Sequence, residues 1–130
     1  MDDCVFCKVV KGEIPSHKIW EDDFSIAILD VFPSRKGQIL LIPKEHLAPY
    51  LFEIEDDKYT KLMLNAKKIA NVIDKCLKPI KTGLIVEGLE LDHVHVKLYP
   101  LDKEFGIPLL EPKLSEEEMK DIADKIKKCL

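Results

Sequence analysis

No stretch of this 130-residue chain stays apolar long enough to cross a bilayer; its longest apolar runs are broken by lysine, aspartate or proline, which excludes a membrane-spanning helix. Nor is there an excess of positive charge. Twenty lysines and arginines are outweighed by 24 aspartates and glutamates, for a formal charge of −4. Nothing global therefore attracts nucleic acid or an anionic membrane, and any phosphate must be held by a local site. The first residues, Met1-Asp2-Asp3-Cys4, lack the basic and then apolar layout of a secretion signal, so a cytoplasmic location is expected. Internal repeats, low-complexity segments and linkers are also missing. Four cysteines in such a chain point to metal binding or free thiols rather than to a disulfide framework. What remains, 46% hydrophobic and 34% charged residues, describes one globular domain over residues 1–130.

Residues 4–12 read as a short helix or turn closed by Gly12, and they carry the only Cys-x-x-Cys. Ile14-Pro15 then forces an extended segment. Residues 18–21 and 24–30 read as two strands of a hairpin turning at Asp22-Asp23. Beyond the loop 33–37, residues 38–43 form a nearly continuous apolar strand, which implies burial on both faces. A long helix is predicted from about Glu55 to Cys76. Its apolar residues Tyr59, Leu62, Met63, Ala66, Ile69, Ala70 and Ile73 recur at spacings of three and four and form one core-facing stripe. Lys78-Pro79 stops it, a fourth strand occupies 83–86, and a fifth runs over 92–100. Beyond the irregular stretch 101–113, a final helix starts at Ser115, with Glu118 closing a capping box and Met119, Ile122, Ala123 and Ile126 on one face. The pattern is an α+β domain: about five mostly antiparallel strands with one long helix and a C-terminal helix.

Two of only four histidines, His93 and His95, stand two residues apart in the fifth strand. Alternation projects His93, His95 and Lys97 from one face and Val94, Val96 and Leu98 from the other. Two imidazoles and an ammonium in a row suit an anionic substrate, whereas the plain alternative is a half-exposed strand turning polar residues to water. Cys4 and Cys7 have the gap that lets two thiolates face one ion, and His46 and His93, each at the edge of a β-segment, are the natural candidates to complete a tetrahedral zinc site. Two other readings stay open: Cys7 as a buried apolar residue beside an exposed Cys4, and a redox dithiol. His17 reads as a surface histidine, and Cys76 and Cys129 as ordinary helix residues. His95 is left over once a metal has taken its partners. The charge of Lys97 should lower its pKa and keep it a neutral nucleophile, one able to attack phosphorus.

Three segments together resemble the histidine triad superfamily of nucleotide hydrolases and transferases: Cys4-x-x-Cys7 with Glu13-Ile14-Pro15; residues 21–46, ending Ile42-Pro43-Lys44-Glu45-His46; and His93-Val94-His95-Val96. The resemblance runs from Cys4 to Pro100, leaving 101–130 as a C-terminal extension. It implies a five-stranded antiparallel sheet, a long helix and a homodimer. It further implies that His95 attacks the α-phosphorus of a nucleoside 5′-phosphate derivative, a phosphoramidate or dinucleoside polyphosphate, to form a nucleotidyl-histidine. In the branch with an N-terminal Cys-x-x-Cys, a structural zinc is implied on Cys4, Cys7, His46 and His93. Apolar residues corresponding to Ile14, Ile28, Val31 and Leu40 would cradle the nucleoside, and Asp30 would bind the ribose hydroxyls. Two departures fall on the phosphate side: Lys97 replaces the third histidine of the signature, and the loop before the signature is cut to residues 87–91, with Glu87 and Glu90 placed to repel a phosphate. A zinc-stabilised nucleotide-binding protein with degenerate catalysis is therefore the alternative to an enzyme.

Overall fold

Apolar side chains alternate along the central strands so that both faces of one sheet must be covered, and two helices of very different length do so. The computed structural model describes residues 3–102 and 113–130. The elements in chain order are α1 (Val5–Val10), β1 (Lys18–Glu21), β2 (Ser25–Leu29), β3 (Ile39–Pro43), a single 3-10 turn (Leu51–Glu53), α2 (Asp56–Leu77), β4 (Lys81–Ile85), β5 (Val96–Leu101) and α3 (Glu116–Lys127). The strands form one antiparallel sheet in the order β1-β2-β3-β5-β4. This is the α+β architecture expected from the sequence.

Every residue of β3 is buried. Ile39 and Leu41 join Ala27, Val96 and Leu98 on the face covered by Leu62, Ala66, Ile69 and Ile73 of α2. Leu40 and Ile42 join Ile26 and Ile28 on the other face, under Phe6 and Val9 of α1. Burying an aliphatic side chain of this size contributes roughly 1.5–3 kcal/mol. The paired rows thus hold the sheet and both helices in register. The α2 stripe is the one its spacing predicts, and the helix ends on Lys78 in the left-handed conformation (φ 50°), with Pro79 preventing its continuation.

Two elements depart from the sequence reading. The histidine segment is extended, but β5 starts only at Val96. The last β3–β5 pair is Leu41 with Val96, and Val94 N–H is given to the carbonyl of Leu47 instead of to a ladder. Val94 still packs in the α2 cluster with Val96 and Leu98, so the alternation of faces extends ahead of the hydrogen-bonded strand. The fourth strand is also longer at its start, because Lys81 and Thr82 pair with Leu101 and Pro100. The final helix has the expected capping box between Ser115 and Glu118, yet none of its residues is buried. Cys76 and Cys129 are exposed, the latter just past α3, and His17 is exposed as expected. Of the irregular stretch 101–113, residues 103–112 lie outside those described.

The turn between β1 and β2 is built on one carboxylate. Asp22 accepts hydrogen bonds from the backbone N–H of Phe24 and of Ser25, each at 2.8 Å, and from Asn65 of α2 at 3.0 Å. Burial opposes its ionisation, but the amide bonds from Ser25 and Phe24 outweigh this and hold the carboxyl below its ordinary value. A depressed folded-state pKa gives stability that is present above the unfolded value of about 3.9 and is lost as pH falls through the folded one. Asp22→Ala should cost about 1–3 kcal/mol in chemical denaturation at pH 7. The difference from wild type should shrink as the pH is lowered below about 4.

Candidate active site and metal centre

Cys4 caps the first turn of α1, its Sγ accepting from the backbone N–H of Cys7 at 3.4 Å, and the three-residue spacing turns both thiols to one side. His46 follows β3 and His93 precedes β5. Their Nδ1 atoms meet the thiols: Cys7 Sγ lies 3.2 Å from His46 Nδ1 and 3.5 Å from His93 Nδ1, and Cys4 Sγ lies 3.3 Å from His93 Nδ1. All four donor atoms lie within 4.8 Å of one another. A tetrahedral ion with zinc–sulfur and zinc–nitrogen bonds of ordinary length separates such donors by about 3.6 Å, so the group fits one divalent metal.

The histidine tautomers suit the same purpose. Buried His93 donates its Nε2–H to the carbonyl of Pro43 at 2.8 Å, which leaves the Nδ1 lone pair for the thiol side. Burial pushes this imidazole's pKa down, against the opposing pull of the Pro43 bond, so the ring is neutral. The Asp92 carboxylate stands 3.8 Å from His46 Nε2. Burial, reinforced by neighbouring Cys4, pushes the Cys7 thiol up, as for a group whose charged form needs a cation beside it.

His95 belongs to a different place. Its Nδ1–H donates to the carbonyl of His93 at 3.0 Å, which leaves the Nε2 lone pair uncommitted by that bond. The ring is 5% exposed and lines a cleft of about 390 Å³. Its pKa is lowered as the sequence suggests, but burial is the larger cause and the charge of Lys97 a smaller one. The cleft also takes in Ile14, Ile28, Asp30, Val31, Leu40 and Lys97. All seven cleft residues singled out in the sequence therefore share one cavity, apart from the cysteine–histidine group. The Asp30 carboxylate is held by Gln38 Nε2 at 2.6 Å and by the backbone N–H of Phe32 at 2.9 Å.

Sequence reasoning missed several parts of this cavity. Val5, Phe6 and Val9 of α1 form a wall, and Phe32, Glu90 and Leu91 close other sides. The helical spacing of Phe6 and Val9 beside Cys7 was the available signal. Glu87 was read as a residue that repels phosphate. Instead it accepts a hydrogen bond from Lys97 Nζ at 2.9 Å. Burial alone would push the Lys97 ammonium down, but Glu87 outweighs it and holds its pKa above the ordinary value. Gly88 permits this placement: it has φ +68°, and a Cβ there would lie 2.6 Å from the carbonyl oxygen of Pro49. An apolar cleft lined also by a carboxylate, a neutral imidazole and a paired ammonium can accept a nucleoside phosphate and attack it.

The chain is similar to several known proteins. The adenosine 5'-monophosphoramidase hnt1 of Schizosaccharomyces pombe is 34% identical over 127 residues, covering 95% of this chain and 95% of its own. The adenosine 5'-monophosphoramidase HNT1 of Saccharomyces cerevisiae is 39% identical over 98 residues, covering 75% of this chain and 61% of its own. The crystal structure of a member of the HIT family from Bacillus subtilis superposes with a TM-score of 0.80 at 29% identity, covering 98% of this chain and 97% of that one. The HIT domain profile matches residues 11–104, and the chain belongs to the HIT domain family.

Proposed function

We propose that this protein is a nucleotide hydrolase or nucleotidyl transferase that works through His95 on the α-phosphorus of a nucleoside 5′-phosphate derivative, a phosphoramidate or a dinucleoside polyphosphate. One observation carries the reading: the His93 carbonyl holds His95 as the Nδ1–H tautomer beside an apolar cleft of nucleoside size. The resemblance of the chain to two adenosine 5'-monophosphoramidases supports it.

Ile14, Ile28, Val31 and Leu40 take the nucleoside, and Asp30, already oriented by Gln38, accepts from the ribose hydroxyls. His95 Nε2 attacks phosphorus. The bond from phosphorus to the leaving amine or phosphate breaks, and that group departs with its electron pair and takes up a proton. Water, or an acceptor hydroxyl in a transferase, then displaces the imidazole and releases the nucleotidyl product. Lys97 offsets charge on the phosphoryl oxygens. Cys4, Cys7, His46 and His93 would hold a zinc, which with four protein ligands would serve as a structural cross-link between α1 and the segment before β5. The same reading includes assembly as a homodimer.

The Lys97–Glu87 pair favours a second reading, a zinc-stabilised nucleotide-binding protein with degenerate catalysis, because the cation that should meet phosphate is already neutralised by a carboxylate. The two readings separate in one assay. With an adenosine 5′-phosphoramidate as substrate, wild type should release AMP, His95→Ala should lose about 10³-fold or more, and Glu87→Gln should gain several-fold by freeing the ammonium. AMP binding without turnover, together with activity appearing in Lys97→His, would replace the first reading by the second. Metal content is an independent check. Wild type should carry about one zinc per chain, and Cys4→Ser should lose it and melt at lower temperature; unchanged zinc in the variant would remove the metal centre from the proposal.

A further inference from the structure

The six-residue helix α1 and its N-cap Cys4 serve both sites at once. Cys4 and Cys7 at its first turn belong to the cysteine–histidine group, while Phe6 and Val9 between and beyond them wall the cleft. A helix this short does not hold itself, since the cost of its nucleus is barely recovered. Its flanking backbone hydrogen bonds are local, among them Lys8 to Cys4, Lys11 to Cys7, Gly12 to Val9 and Glu13 to Lys8. Its attachment to the sheet is the packing of Phe6 and Val9 on Ile26, Ile28, Leu40 and Ile42, together with the two thiols. His93 is shared in the same way: its ring faces the thiols and its carbonyl orients His95. Phe6 packs against both, its ring edge-on to His93 at 5.9 Å and to His95 at 4.8 Å.

We infer that metal occupancy of the cysteine–histidine group and nucleotide occupancy of the cleft are energetically coupled through α1, with Phe6 as the positioning residue that sets the His95 ring. The inference rests on the proposed metal and nucleotide sites and adds a link between them. A metal that clamps Cys4 and Cys7 to His46 and His93 restrains the wall against which the nucleoside and the His95 ring both pack. Removing it lets α1 shift, so the cleft loses a wall although no metal ligand touches the nucleotide. Coupling between two binding equilibria is reciprocal, so the nucleotide must tighten metal binding by the same factor, commonly about five- to 150-fold. A metal centre that only raised global stability would not depend on the shape of residue 6.

The test uses the full chain, with AMP and zinc as probes under reducing conditions. By titration calorimetry, the zinc-loaded protein should bind AMP at least about fivefold more tightly than the chelator-stripped protein, and AMP should lower zinc transfer to a competing chelator by a matching factor. Phe6→Leu should keep its zinc and a cooperative melt, yet the effect of AMP on zinc transfer should fall to nearly none. The His95 ring signals in its NMR spectrum should also shift from their wild-type positions. Equal AMP affinity with and without zinc, or full coupling retained in Phe6→Leu, overturns the inference while leaving the proposed function standing. If the stripped protein unfolds, the zinc-transfer measurement still decides, because coupling through global folding would survive in Phe6→Leu. A loaded wild type that binds no AMP overturns both.

Discussion

The His93 imidazole is buried between two elements that are distant in sequence, and it can be satisfied in one way. Its Nε2–H goes to the Pro43 carbonyl at the end of β3, which turns Nδ1 toward Cys4 and Cys7 of α1. A buried donor left without that carbonyl would cost about 1–3 kcal/mol, so the ring orientation and the chain path beyond Pro43 are mutually determined. The carbonyl of the same residue then orients His95. One residue therefore separates a histidine in the cysteine–histidine group from a cleft-lining one two positions along, although the chain places them almost side by side.

The chain at His93 and His95 lies ahead of the β5 ladder, yet both rings are on the α1 side, against Phe6. Val94 fills the α2 core on the other face and keeps the segment extended. Lys97, which is in the ladder opposite Leu40 and Ile85, stays beside the cleft and reaches Glu87 in the loop after β4. The cleft beside Lys97 is thus electrically balanced rather than strongly positive. Such a surface attracts a highly charged anion less than a bare ammonium would.

The helices differ in how their amphipathic faces are used. The α2 stripe and the Phe6 and Val9 positions of α1 are consumed by the two faces of the sheet. The equivalent stripe on α3, Met119, Ile122 and Ile126, is exposed among the described residues although its helix is well capped. Capping and spacing determine that a helix forms; they do not determine what it packs on.

Local rules made the strand alternation of β2 and β3, the α2 stripe, the stop at Lys78-Pro79 and the Ser115 cap readable in the linear chain, because each depends on side chains within a turn or a few residues. The two-residue gap of Cys4-x-x-Cys7 and the one-residue gap of His93-x-His95 were equally visible, and the structure gathers the first pair with His46 and His93 and sets His95 in the cleft. Only the tertiary structure decided that β5 begins after the histidines, that Glu87 meets Lys97 instead of repelling phosphate, and that Phe6 lies against both His93 and His95. Those outcomes depend on Val94 bonding the Leu47 carbonyl, on a left-handed Gly88 pressed against the Pro49 carbonyl, and on α1 packing on the sheet face. They are contacts between segments tens of residues apart, for which neither periodicity nor local conformational preference carries information.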